Sequence, residues 1–205
     1  MTTVLVPRER VARWVANFGE RHGGAELRVT DGALSGTATD GSTFEARLPF
    51  AAEYAGPAEP DGLVAAVAAP GDWGVLLVRK GGFAVARMSG DRFVESKVGQ
   101  RHVQGRTKAG GQSQQRFARR RDNQARQAYE AAAEHAVRIL GEGPLTVVAG
   151  GDRAAVDEVL ADSRLRRLAV VDPWLAVPDP RRGVLEQAVR DACSVRVEVV
   201  NAGET

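Results

Sequence analysis

One cysteine, Cys193, stands among 205 residues, so the chain has no internal disulfide framework and no cysteine-based zinc site. No window approaches the roughly 18 uninterrupted apolar residues that a spanning helix needs. The first residues, MTTVLVPRERVARW, lack the charged-then-apolar order of a secretory leader. Together these absences predict a soluble, cytoplasmic protein. Common enzyme signatures are missing too: there is no G-x-S-x-G elbow, no P-loop and no H-E-x-x-H. The three histidines, His22, His102 and His135, are far apart in sequence, which argues against a shared metal.

What is present is enough for folding. Hydrophobic residues make up 43% and charged residues 26%, near the averages for globular chains. The length suits one domain, or one domain with a small appendage. Net charge is only +2, but its distribution is uneven. Between Lys97 and Arg126 nine basic residues meet one acid, Asp122, which makes that stretch +8 and leaves the rest of the chain at −6. A basic block on an acidic protein is the electrostatic footprint of a polyanion site, most often nucleic acid. A merely solvated helix face would alternate its charges, and this block does not.

Residues 1–70 read as a small α+β module. Val11, Trp14, Val15 and Phe18 recur at helical spacing within Pro7–Glu20, and Gly23-Gly24 stops that helix. Strand-like runs AELRV, ALSGTA and STFEARL follow, with turns at Asp31-Gly32 and Asp40-Gly41. The Ala-, Pro- and Gly-rich stretch 51–72 reads as a linker, with LVAAVAA as a short helix. From Trp73 onward a second domain, 71–205, begins with three strands and an exposed glycine-rich loop, 99–111. A long helix from Ser113 to Leu140 comes next. Phe117, Ala125, Ala128, Ala132, Ala136 and Ile139 form its seam, thin where arginines dominate and full near the end, so its first turns are expected to project and its last to dock. LTVVAGG, RRLAVVDP and SVRVEVV read as strands, alternating with helices at Asp152–Leu160 (capped by Asp152) and Pro180–Ala192. The predicted class is α/β, more strictly mixed α+β: a mixed sheet flanked by helices, plus the N-terminal module.

Asp152, Asp157 and Asp172 could form a nuclease-like acidic cluster, although caps and turns explain them as well. Cys193 reads as an inert core thiol. The remaining candidate is Gly110-Gly111-Gln112, at the tip of the glycine-rich loop. It stands directly before a helix whose first three turns carry Arg116, Arg119, Arg120 and Arg121.

The segment GGQSQQRFARRRDNQARQAYEAAAEHAV resembles the signature of the middle domain of eukaryotic and archaeal class I peptide-chain release factors. There a GGQ loop leads into a helix reading Ser-x-x-Arg-Phe-x-Arg-x-Arg, matched by Ser113, Arg116, Phe117, Arg119 and Arg121. The likeness is strong over some thirty residues and architectural elsewhere from Trp73 onward. Nothing resembles the codon-reading domain, and no domain for a partner GTPase is expected. The arrangement is closer to the release-factor-like peptidyl-tRNA hydrolases that free nascent chains from stalled, split large subunits. In that branch the glutamine can follow a serine, which makes Gln114 the alternative to Gln112.

The resemblance implies hydrolysis of the ester between a peptide and the terminal ribose of tRNA. Two glycines let backbone enter a narrow RNA-walled site without side-chain clash. Gln112 would offer a backbone N–H to the developing oxyanion or the leaving oxygen, and an amide to orient water. Arg106, Lys108, Arg116, Arg119, Arg120 and Arg121 would grip rRNA or tRNA phosphates. Phe117 is expected to anchor the helix in the core. The expected partners are the large ribosomal subunit and peptidyl-tRNA, with no DNA, membrane, metal or cofactor, and a monomeric state. The resemblance also suggests methylation of Gln112. A non-catalytic RNA-binding module and a metal nuclease are the competing readings.

Overall fold

The computed structural model describes residues 1–100 and 112–203, with side chains described except at residue 100 and residues 112–125. In chain order the elements are β1 (Thr2–Val6), α1 (Val11–Arg21), β2 (Ala25–Thr30), β3 (Ala33–Ala38), β4 (Thr43–Arg47), α2 (Pro60–Ala66), β5 (Trp73–Arg79), β6 (Gly82–Ser89) and β7 (Arg92–Gln100). They continue with α3 (Gln112–Leu140), β8 (Leu145–Gly151), α4 (Arg153–Leu160), β9 (Leu168–Leu175), α5 (Arg182–Ala192) and β10 (Val195–Val200). Residues 1–70 with 189–205 form one compact unit, and residues 71–188 form another. The fold is mixed α/β, as expected. Among the described residues no helix is long and apolar enough to cross a membrane.

The first unit holds an antiparallel sheet in the order β1-β10-β4-β3-β2. Its core joins Val11, Val15 and Phe18 of α1 to Leu34, Phe44 and Ala46 of the sheet. The spacing of 11, 15 and 18 is the helical stripe legible in the sequence. β2 and β3 are joined through Asp31 and Gly32, both at positive φ (50° and 71°), the paired left-handed geometry of a tight hairpin.

Four sequence readings change here. The N-terminal run TTVLV is an edge strand, β1, which was not anticipated. The stretch 51–72 is more than a linker, because Tyr54, Leu63 and Val67 are buried in this core and the Tyr54 hydroxyl donates to the Pro57 carbonyl at 2.7 Å. β10, expected in the second sheet, lies between β1 and β4, with Val197 opposite both Val4 and Ala46. Its alternation explains this placement: Val195 and Val197 are buried while Arg196 and Glu198 are half-exposed. That pattern suits an antiparallel sheet with one covered face. Cys193, just before β10, is half-buried rather than a core thiol.

The second unit holds a mixed sheet in the order β7-β6-β5-β8-β9. β5, β6 and β7 form an antiparallel meander, while β8 and β9 run parallel to β5. The first six residues of β5 are buried, as befits a central strand covered on both faces. α3 returns the chain from edge strand β7 to β8, and α4 connects β8 to β9. Both helices contribute to one core: Ala132, Ala136 and Ile139 of α3 and Val156 and Val159 of α4 meet Leu76, Val78, Val85 and Val147. Asp152 occupies the N-cap of α4 as expected, but its side chain makes no capping bond. Its backbone carbonyl accepts from the Val156 N–H at 3.0 Å. Arg164 ties α3 to the turn after α4 by pairing with Glu134 at 2.6 Å and Asp162 at 2.7 Å.

Candidate functional site

The candidate site rests on two stems of the second unit, β7 and α3. Segment 101–111, with Arg106, Lys108, Gly110 and Gly111, lies outside the described residues. The backbone of α3 begins at Gln112, so Gln112, Ser113, Gln114, Arg116, Phe117, Arg119, Arg120 and Arg121 all belong to its first turns. Ser113, expected to open the helix, is therefore its second residue. Side-chain roles assigned to these residues and to Ala125, including the anchoring by Phe117, lie outside the described residues, as does the expected projection of those turns. Residues 112–125 account for about 21 Å of helix at 1.5 Å per residue.

From Ala128 onward α3 is docked. Ala128, Ala132, Ala133, Ala136, Ile139 and Leu140 are buried, and the alanines let the helix approach the sheet closely. Two layers join this half of α3 to the hairpin that leads into the loop. In the first, the Phe83 ring of β6 stacks on the His135 imidazole, with centroids 5.4 Å apart and planes 29° apart. Gly99 of β7 pairs with Phe83 across the strands, and a Cβ there would lie 2.3 Å from the ring. Only a glycine lets the last turn of β7 cross that ring. In the second layer, Arg138 pairs with Glu95 of β7. Both stems are thus held by side chains that the sequence alone did not bring together. A glycine inside a strand pattern was the one signal that could have pointed to Gly99.

Electrostatics at the stems favour a neutral imidazole. Burial holds the His135 pKa below its ordinary value, assisted by the nearby charges of Lys97 and Arg138 and opposed by Glu134. The buried Nδ1 of His135 has no hydrogen-bond partner among the described residues. Lys97 and Arg126, the members of the basic block with described side chains, are exposed and form no ion pair with a described residue. Other arginines of the unit are paired, Arg87 with Asp72 at 2.6 Å and Arg182 with Glu186 at 2.7 Å among them. Lys97 and Arg126 thus leave their charge available to a polyanion.

The alternative acids are only partly assembled. Asp157 and Asp172 line a groove of about 370 Å³ beside α4 and β9, with Arg153 lying 4.1 Å over the Trp174 ring at its wall. Asp152 does not line this groove. Among the described residues no three His, Cys, Asp or Glu side chains are grouped to hold a metal. His22 and His135 lie in different units, and His102 falls outside the described residues.

Comparison with known protein families identifies this region. The model of the acVLRF1 family, described as the Actinobacteria/chloroflexi VLRF1 release factor, matches residues 71–198. The match takes in the whole second unit and runs on through α5 and most of β10. It supports the release-factor resemblance in general, and not the eukaryotic and archaeal class in particular. No curated protein matches the chain.

Proposed function

The chain belongs to the acVLRF1 family of release factors, and from that premise we propose that it hydrolyses the ester of peptidyl-tRNA, without reading a codon, on stalled large ribosomal subunits. One observation carries the reading. Within the matched region, Gly110-Gly111-Gln112 leads into α3, which continues with Ser113, Arg116, Phe117, Arg119 and Arg121 in the hydrolase pattern.

The chemistry follows from the residue types. Water attacks the ester carbonyl, the bond to the ribose 3′-oxygen breaks, and that oxygen leaves as the tRNA hydroxyl. The Gln112 backbone N–H stabilises charge on oxygen, and its side-chain amide orients the water. Gly110 and Gly111 keep the probe narrow. Arg106, Lys108, Arg116, Arg119, Arg120 and Arg121 hold phosphates of rRNA and tRNA. No cofactor is required, and the reading carries with it a cytoplasmic monomer.

The deciding experiment is peptide release from purified peptidyl-tRNA–large-subunit complexes in which catalytic divalent metal is chelated while the rRNA stays folded. Release of intact peptide with full-length tRNA is expected. Shortened RNA that disappears on chelation would identify a nuclease instead. Binding without release or cleavage would leave only an RNA-binding module.

A further inference from the structure

The first unit carries a second surface with the chemistry of a ligand site. Trp14 and Phe18 of α1 and His22 at its C-cap recur every fourth residue and form one aromatic stripe. Trp14 stacks on Phe18 at 5.8 Å, and Phe18 lies 4.6 Å from the His22 ring. His22 is fixed in turn, its Nδ1 donating to the Asp40 carboxylate at 2.8 Å. These rings wall a groove of about 730 Å³ between α1 and the β1–β10 edge of the sheet, and Val4 and Val199 contribute apolar surface to its lining. Polar groups share that lining: Asn17, Arg21 and Asn201. Neither their side chains nor the Trp14 indole N–H form a hydrogen bond with a described residue, so the groove offers donors that the fold does not use.

Charge distinguishes the helix side of this groove from the sheet. Arg28, Arg47 and Arg196 of the sheet are each paired with an acid two residues away: Glu26, Glu45 and Glu198. Arg13 and Arg21 of α1 are exposed and form no ion pair with a described residue. With Asn17 they lie at i, i+4 and i+8, beside the aromatic stripe. Eight residues of helix separate the two guanidinium-bearing positions by about 12 Å, the span of about two nucleotides. Glu20, also in the lining, supplies a carboxylate that can accept from ribose hydroxyls.

We propose that this groove binds single-stranded RNA. A base stacks on Trp14 and presents its edge to Asn17 and Asn201, while Arg13 and Arg21 hold the flanking phosphates. Stacking platforms interleaved with cations are how unpaired strands are held without helical readout. A neutral extended peptide could use the apolar wall and the amides, but it would leave the two arginines without anionic partners.

The test uses the full chain and a 4-thiouridine-containing single-stranded RNA hexamer. After ultraviolet cross-linking and trypsin digestion, the hexamer is expected on the peptide from Trp14 to Arg21. Trp14→Leu should lower that cross-link at least fivefold. In a second measurement, Arg13→Gln with Arg21→Gln should reduce the log–log salt slope of hexamer binding by about 1.4, at about 0.7 per phosphate contact on a single strand. Both arginines are exposed, so the melting temperature should not change. Cross-links confined to the basic block at 97–126, an unaltered salt slope, or capture of a peptide in place of RNA would each overturn the proposal. It is independent of the Gln112 reading, because peptide release can fail while this cross-link persists.

Discussion

Replacing Gly99 by alanine should loosen the stem beneath the candidate loop. A Cβ at that position would lie 2.3 Å, 2.5 Å and 3.0 Å from three carbons of the Phe83 ring. Carbon atoms in favourable contact sit about 3.5–4.0 Å apart, so ring or strand must move by about 1 Å. The ring has little room to retreat, because Phe83 is 7% exposed and His135 stacks on it. The backbone at Gly99 is not left-handed, so the penalty is steric and not conformational. Overpacking of this kind costs about 1–3 kcal/mol. At about 2 kcal/mol, and about 2–4 °C per kcal/mol for a chain of this size, the melting temperature should fall by about 4–8 °C. Phe83→Leu in the same background removes the obstructing ring. The double variant should therefore be more stable than the sum of the single effects by at least about 0.5 kcal/mol. Thermal and urea denaturation of all four proteins check this. A Gly99→Ala protein that melts with the wild type, or a strictly additive cycle, would refute the stem geometry. If the hydrolase reading holds, release should fall as well, since displacing a reacting group by about 1 Å can cost about 100-fold.

Gln112→Ala should lower peptide release by about 100- to 1000-fold without changing the melting temperature; if Gln114→Ala does so instead, the glutamine assignment passes to Gln114. Replacing Arg119, Arg120 and Arg121 by glutamine should weaken large-subunit binding and reduce its log–log salt slope by somewhat under one unit per lost phosphate contact, whereas an unchanged slope would leave these arginines as a solvated helix face. Hydrogen bonds from the Arg164 guanidinium and then from its backbone N–H lower the Asp162 pKa from 3.8 to about 2. Because the folded-state value is depressed, its stabilisation is complete above about pH 4 and is lost as pH falls towards 2. Asp162→Asn should therefore lose less of its urea midpoint than the wild type across that interval; parallel acid curves would show that the pair does not contribute.

Composition and local pattern by themselves determined the mixed α/β class, the helices α1, α3, α4 and α5, and most strands. These follow from periodicity, caps and glycine punctuation, which are properties of neighbours along the chain. The GGQ tripeptide and the arginine-rich start of α3 were also legible, because a motif before a helix is a local object. Tertiary structure alone decided which strands share a sheet. SVRVEVV reads as a strand anywhere, but its one-sided burial is satisfied between β1 and β4, more than a hundred residues back in sequence. The run at 51–72 looks like a linker until Tyr54, Leu63 and Val67 find the first core. The stem is the clearest case: Gly99, Phe83 and His135 are spread over 53 positions, and no pattern in the sequence says that a missing Cβ on one makes room for the ring of another. Such contacts depend on three-dimensional packing, where excluded volume operates between residues that chain order keeps apart.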